Sequence, residues 1–249
     1  MKVFTVFFLA HLIGDFYLQP QGLARNKSRS LLWTLLHSLI YAAVCMLSAL
    51  LLGAEAIVPA AVLSAAHLVI DCVKKLAFKP DLRAKTERVL FCADQALHVA
   101  SIAAVSIWAS ACFQIKTPEY LRAFGGIVGM EPYRLLAYAA LALAVMKPGN
   151  IFIRFMLLEG RPEEDEEAEE LENRIRTGRM IGSLERLLVS ALLALGQYGS
   201  IAIVFTAKSI ARFKQLENRG FAEYYIYGTL LSAVTAVGAF LLLRFFGTL

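Results

Sequence analysis

Three pairs of a histidine and an aspartate, each four residues apart, stand inside otherwise apolar stretches: His11 and Asp15, His67 and Asp71, and, in reversed order, Asp94 and His98. On an α-helix, residues at this spacing project from one face with Cβ atoms about 5 to 6 Å apart, so each pair can grip one object. The remaining histidine, His37, lies in a fourth apolar stretch, which gives one histidine per hydrophobic segment within the first hundred residues. Imidazole with carboxylate is the ligand set of zinc, iron or manganese. Seven candidates (His11, Asp15, His37, His67, Asp71, Asp94 and His98) exceed one tetrahedral shell. Either two ions bind, or some aspartates are partners that orient the imidazoles. The expectation is a site for one or two divalent metal ions, zinc foremost.

The segments carrying these residues have to cross a membrane. The chain has 249 residues, of which 58% are hydrophobic, well above an ordinary soluble domain. Runs near the roughly 20 residues needed to span a bilayer occur at about 2–18, 31–53, 56–77, 88–113, 133–156, 186–207 and 223–247. The first run continues into His11 and Asp15 with no small-residue cleavage site, so it reads as a retained helix. The fold class expected is all-α, a polytopic membrane helix bundle of about seven transmembrane helices. Its first four form a metal-site core built as a repeated hairpin, with the His11 and His67 pairs in corresponding places. Small residues Ala61, Ser64, Ala65 and Ala66 would let another helix approach the third segment closely.

Histidine alone in such a segment is often just a hydrogen-bonded contact between helices. Three aspartates change the balance: each costs about 3 kcal/mol near the bilayer centre on insertion scales, and a bound cation offsets that load. The loop after the first segment carries Arg25, Lys27 and Arg29, and the loop after the third carries Lys74, Lys75, Lys79, Arg83, Lys85 and Arg88. By the positive-inside rule both are cytoplasmic. Counting at about 1.5 Å per residue, all four histidines then lie roughly 10 to 15 Å below the cytoplasmic surface. Gln19, Lys74 and Gln95 stand at the inner rim, placed to bind an anionic substrate or to bond to the site; for Lys74 the plain alternative is a lysine whose stem snorkels to the membrane surface.

The second half carries different signals. Lys147-Pro148-Gly149-Asn150 interrupts the fifth segment, because proline removes a backbone donor. The run 159–172 holds nine acids and one arginine, which leaves the rest of the chain at +13 against a total of +5; it reads as a solvated loop. Glu185, Arg186, Lys208, Arg212 and Glu223 are expected to pair with one another and hold the last two segments together. Cys45, Cys72, Cys92 and Cys112 show no CxxC spacing and read as reduced packing residues. The organisation expected is a His/Asp membrane core over 1–114, a loop and broken fifth helix over 115–158, an acidic cytoplasmic loop over 159–178 and a C-terminal helical hairpin over 179–249.

His11-x3-Asp15-Phe16-x2-Gln19, His37, His67-x3-Asp71-x2-Lys74 and Asp94-Gln95-x2-His98 resemble a bacterial integral-membrane family known as domain of unknown function 3307. The runs Gly182-x2-Glu185-Arg186, Ala207-Lys208-Ser209-Ile210-x-Arg212-Phe213 and Glu223-Tyr224 look like the C-terminal portion of its members. The resemblance implies the bacterial inner membrane and supplies no activity. A looser likeness of the first four segments to membrane-embedded metal-dependent hydrolases raises the expectation of hydrolysis.

The function expected is thus metal-dependent hydrolysis of a lipid-linked or membrane-resident substrate from the cytoplasmic leaflet, with Asp15, Asp71 or Asp94 as proton acceptor. The alternatives are a divalent-cation or proton transporter, and a non-catalytic membrane scaffold or sensor. Membrane lipid is the expected partner, a homo-oligomer is compatible with the chain, and no Gly-rich phosphate loop, GxSxG or nucleic-acid motif is present.

Overall fold

A computed structural model describes residues 2–20, 22–23, 30–77, 84–157, 168–247 and 249, and among these the chain is all-α. The basic residues 25–29, together with Lys79, Arg83 and the 159–167 part of the acidic run, lie outside the described residues. Two compact units are formed, Met1–Ala140 with Phe246–Thr248, and Leu141–Phe245 with Leu249.

The first unit holds α1 (Lys2–His11), α2 (Leu31–Ala49), α3 (Ile57–Ala77), α4 (Ala84–Cys112), the short α5 (Glu119–Val128) and most of α6 (Pro132–Val145). Helix α1 is apolar on every side, and every residue from Val3 to His11 is buried. A helix with no polar face belongs inside a bundle, and α1 packs against both α2 and α4, while α3 packs against α2 and α4. After His11 the chain does not continue as an α-helix. Leu12–Tyr17 is a π-helix, closed by Leu18 N–H donating to the Ile13 carbonyl at 2.8 Å.

Each of the other three helices shows one narrow buried stripe. On α3 it runs Ala60, Leu63, His67, Asp71; on α4 it runs Asp94, His98, Ile102, Val105, Ala109. These are helical spacings of three and four, so the ionisable residues extend an apolar contact line rather than interrupt it. Of the small residues expected to serve helix approach on α3, Ala61 and Ala65 are exposed and Ser64 and Ala66 are half-buried, while Ala60 and Leu63 lie on the buried line. The neighbouring register was chosen by the packing of His67 and Asp71.

The second unit contains the end of α6, then α7 (Lys147–Leu157), α8 (Ala168–Ala194), α9 (Tyr198–Ala211) and α10 (Arg219–Phe245). Within it α10 packs against α7 and α8, and α9 against α8. The expected break falls at Met146, one residue before Lys147. Pro148 cannot donate a hydrogen bond, and the loosened backbone is taken up by Arg186. Its Nε donates to the Val145 carbonyl at 2.6 Å and its Nη2 to Asn150 Oδ1 at 2.6 Å. Gly149 makes room: a Cβ there would lie 3.1 Å from Arg186 Nε. Of the charged residues expected to pair together, Lys208 and Glu185 do so at 2.5 Å. Arg186 serves the helix break instead, Arg212 bonds Gln215 at 2.8 Å, and Glu223 pairs one turn back with Arg219 at 3.0 Å.

Five helical stretches among the described residues are long and apolar enough to cross a membrane: Leu31–Ala49, Ala54–Ala77, Lys85–Cys112, Pro132–Leu157 and Arg219–Phe245. Two of the expected spans differ. The first is only Lys2–Tyr17, and the sixth is divided at Gln197 between α8 and α9, leaving Tyr198–Ala211 as a shorter apolar helix. The exposed faces of the long helices are strongly apolar, as Leu32, Leu39 and Ile107 show. A surface of that kind is suited to lipid rather than water.

Candidate metal centre

The buried first helix with its π-helical end and the three buried stripes bring all seven candidate ligands to one place inside the first unit, and all seven are buried. The imidazole of His67 is central. Its ring centroid lies 4.4 Å from His98, 5.3 Å from His37 and 6.3 Å from His11, and His11 is 5.1 Å from His98. The carboxylates fill the gaps between rings. Asp15 Oδ1 is 3.0 Å from His37 Nε2 and 3.7 Å from His67 Nε2. Asp71 Oδ2 is 3.6 Å from both His37 Nε2 and His67 Nδ1, and Asp94 Oδ1 is 3.5 Å from His98 Nε2.

These distances separate into three triads whose ligand atoms all lie within 4.8 Å of one another: His11, His67 and His98; Asp15, His37 and His67; Asp71, Asp94 and His98. Ligands of one zinc ion sit about 2.0 to 2.2 Å from it, so modest closure of a triad suffices. The fit is also visible in what the side chains lack. Among the described residues, neither ring nitrogen of His67 makes a hydrogen bond, nor do Nε2 of His98 and Oδ1 of Asp94, whose nearest imidazole–carboxylate contacts stand at 3.5 to 3.7 Å. Buried polar atoms left bare cost about 1 to 3 kcal/mol each. Lone pairs on neutral imidazole and carboxylate are the donors a divalent cation takes.

Of the rim residues, Lys74 and Gln95 reach the cluster. Lys74 Nζ donates to Asp94 Oδ2 at 2.6 Å, and Gln95 Nε2 donates to Asp94 Oδ2 at 3.0 Å and to Asp15 Oδ2 at 3.2 Å. Gln95 thereby ties the Asp15 triad to the Asp94 triad. The Lys74 side chain is 35% exposed while Asp94 is buried, so Lys74 leads from the cluster to the surface. Gln19 is half-buried beyond the end of the π-helix and makes no hydrogen bond to the cluster among the described residues.

The two sequence copies differ in local form, since His11 to Asp15 winds into the π-helix and His67 to Asp71 remains α-helical. One triad keeps a sequence pair, Asp94 with His98, and the other two do not: His11 groups with His67 and His98, and Asp15 with His37 and His67. π-Helical turns recur at functional sites, where one extra residue re-aims a side chain.

Sequence reasoning missed Tyr41. Its ring is buried and stacks on His67 with centroids 3.5 Å apart and planes 21° from parallel. Gly14 permits this, because a Cβ there would stand 3.0 Å from Tyr41 Cδ2. A signal existed: Tyr41 follows His37 at the same four-residue spacing as the other pairs.

No curated protein and no solved structure matches the chain. A family match covers residues 3–121, so the runs around Glu185, Lys208 and Glu223 lie beyond it. Within that stretch stand all seven ligand candidates, Tyr41, Lys74 and Gln95, and residues 3–121 of this chain are similar to the family described as protein of unknown function, DUF3307.

Proposed function

We propose that the chain is a multi-pass enzyme of the bacterial inner membrane, a metal-dependent hydrolase acting from the cytoplasmic leaflet on a lipid-linked or otherwise membrane-resident substrate. The observation that carries this reading is the gathering of buried imidazole and carboxylate atoms from four helices into three triads whose ligand atoms lie within 4.8 Å of one another. Beside the five long helical stretches, Lys2–Tyr17 and the α8–α9 run complete a proposed seven crossings. The basic residues flanking α2, α3 and α4 favour a cytoplasmic position for the cluster end.

Zinc is the first choice for an imidazole and carboxylate set, and when bound it supplies a water with a pKa near 7 and polarises the scissile group. His67 would hold it with Asp15 and His37 or with His11 and His98, and Asp71, Asp94 and His98 would form a further set. Gln95 fixes the carboxylates of Asp15 and Asp94 relative to each other, and Tyr41 fixes the plane of His67. One of the three aspartates accepts the proton released by the attacking water. Lys74 and Gln95 face the arriving substrate, and Gln19 stands further out. Beyond the cluster, the buried stripes continue as Ala60 and Leu63 on α3 and as Ile102, Val105 and Ala109 on α4. Ser106 is a polar member of the α4 stripe, but among the described residues neither stripe carries a further buried ionisable group past the cluster, which favours chemistry at one depth over passage of a cation or proton across the membrane.

The test is elemental analysis of the purified protein in lipid nanodiscs, with His67→Ala and Asp71→Ala as controls. Bound zinc near stoichiometric in the wild type, lost from His67→Ala and weakened in Asp71→Ala is expected, together with metal-dependent release of a water-soluble product from a bacterial lipid extract. Unchanged metal content in both variants removes the metal centre. Metal uptake into sealed proteoliposomes without product release would replace hydrolysis with transport, and normal function of the ligand variants in cells would leave a scaffold or sensor.

A further inference from the structure

Of the three triads, only two share no residue: Asp15, His37 and His67 on one side, and Asp71, Asp94 and His98 on the other. The cluster can therefore hold two ions at once, one in each, while the all-histidine triad overlaps both. The second triad has a cation against it already, because Lys74 Nζ lies 2.6 Å from Asp94 Oδ2. An ammonium there repels a divalent ion on the same carboxylate.

Charge gives the condition under which the second ion enters. With neutral imidazoles, three carboxylates and the Lys74 ammonium carry a net charge of −2. One divalent ion brings the buried centre to zero, and a second alone would raise it to +2. Uncompensated charge is costly inside a bilayer. Two ions with a dianion return the centre to zero, and Lys74 then has an anion to pair with at its partly exposed position. A phosphate monoester is a dianion near neutral pH, while a phosphodiester carries one charge and an ester of a neutral alcohol none.

Building on the reading of the cluster as a metal centre, we propose that it holds one divalent cation at rest and takes a second only together with a dianionic phosphoryl group, with Lys74 holding Asp94 until that group arrives. The substrate class that follows is a phosphate monoester, carried on a lipid headgroup or free.

Equilibrium dialysis of the whole protein in phosphatidylcholine nanodiscs against Mn²⁺ tests this, reading ions per chain. One ion is expected without an anion and two with phosphatidic acid, whereas the phosphodiester lipid phosphatidylglycerol leaves the count at one. Inorganic phosphate raising the count as well identifies free phosphate as a sufficient source; phosphatidic acid alone doing so identifies the lipid. In Lys74→Met the second ion is expected to bind at least ten-fold more tightly without any anion, and Lys74→Arg keeps the wild-type behaviour. Two ions in the wild type without a dianion, one ion whatever the anion, or a Lys74→Met variant that binds as the wild type does, each overturns the proposal. Loss of all metal dependence on His67 would instead overturn the metal centre itself.

Discussion

Asp15 Oδ1 lies 3.0 Å from Nε2 of His37, a residue 22 positions away on another helix, and Oδ2 of the same carboxylate accepts from Gln95 at 3.2 Å. One aspartate in the π-helix thus touches α2 and α4 together. Asp15→Asn keeps the shape and removes the charge. Zinc affinity is expected to fall by at least about 10- to 100-fold, the range found when a group supporting a metal ligand is lost. Competitive titration with a chromophoric chelator measures this. Affinity within two-fold of wild type would place Asp15 outside the metal site.

The contact between Tyr41 and His67 rests on Gly14. In Gly14→Ala the new methyl would meet Tyr41 Cδ2 at 3.0 Å, with the Tyr41 backbone behind it at 3.6 Å. Overpacking of this kind costs about 1 to 3 kcal/mol, and the displaced ring no longer lies flat on His67. The expected outcome is a lower unfolding temperature in detergent together with weaker zinc binding. Tyr41→Phe retains the stacked ring and is expected to keep wild-type zinc affinity. An equal loss in both variants would assign the effect to the tyrosine hydroxyl instead of the ring.

How far the sequence discloses this site can be followed residue by residue. His67 with Asp71, and Asp94 with His98, were legible because a four-residue interval in an apolar helix has one geometric meaning. The joining of Asp15 to His37 and His67 was not, since the π-helix that carries Asp15 is stabilised by packing around buried α1 and has no propensity signature of its own. Pro148 announces a break in α6–α7, yet nothing local names Arg186 as the donor that repairs it. Ala61 and Ala65 advertised a helix contact that the neighbouring Ala60 and Leu63 make, because periodicity fixes the spacing of a buried stripe before packing selects its register.

Arg186 is itself a target. It is 2% exposed, donates to Val145 and Asn150, and lies 3.4 Å from both Ser232 Oγ and Ser183 Oγ. Arg186→Met fills similar volume but strips the Val145 carbonyl and the Asn150 side chain of their donor. Each bare acceptor costs about 1 to 3 kcal/mol, so chemical denaturation in detergent is expected at a clearly lower denaturant concentration. Arg186→Lys should recover only part of the loss, because an ammonium cannot reproduce the planar fork that spans the two acceptors. Full recovery by lysine would mean that charge, and not the fork, holds the break.

Glu185 and Lys208 form a charge pair of the second unit in which the glutamate is buried and the lysine half-buried. Lys208 Nζ is 2.5 Å from Glu185 Oε2 and 5.4 Å from the centre of the Tyr225 ring, and the glutamate side chain is 6% exposed. Removing one partner strands the other charge; that costs about 3 to 5 kcal/mol in a fully buried pair, and less here because Lys208 is half-buried. Lys208→Met alone and Glu185→Leu alone are therefore each expected to destabilise the protein, with Lys208→Met the worse because it leaves the more buried group ionised. Lys208→Met with Glu185→Leu removes both charges and keeps apolar volume, so the double variant should be more stable than either single one. A double-mutant cycle on thermal unfolding reads this directly. Strict additivity of the two single losses would show that the ion pair does not couple α8 to α9, and that each side chain acts through its own packing.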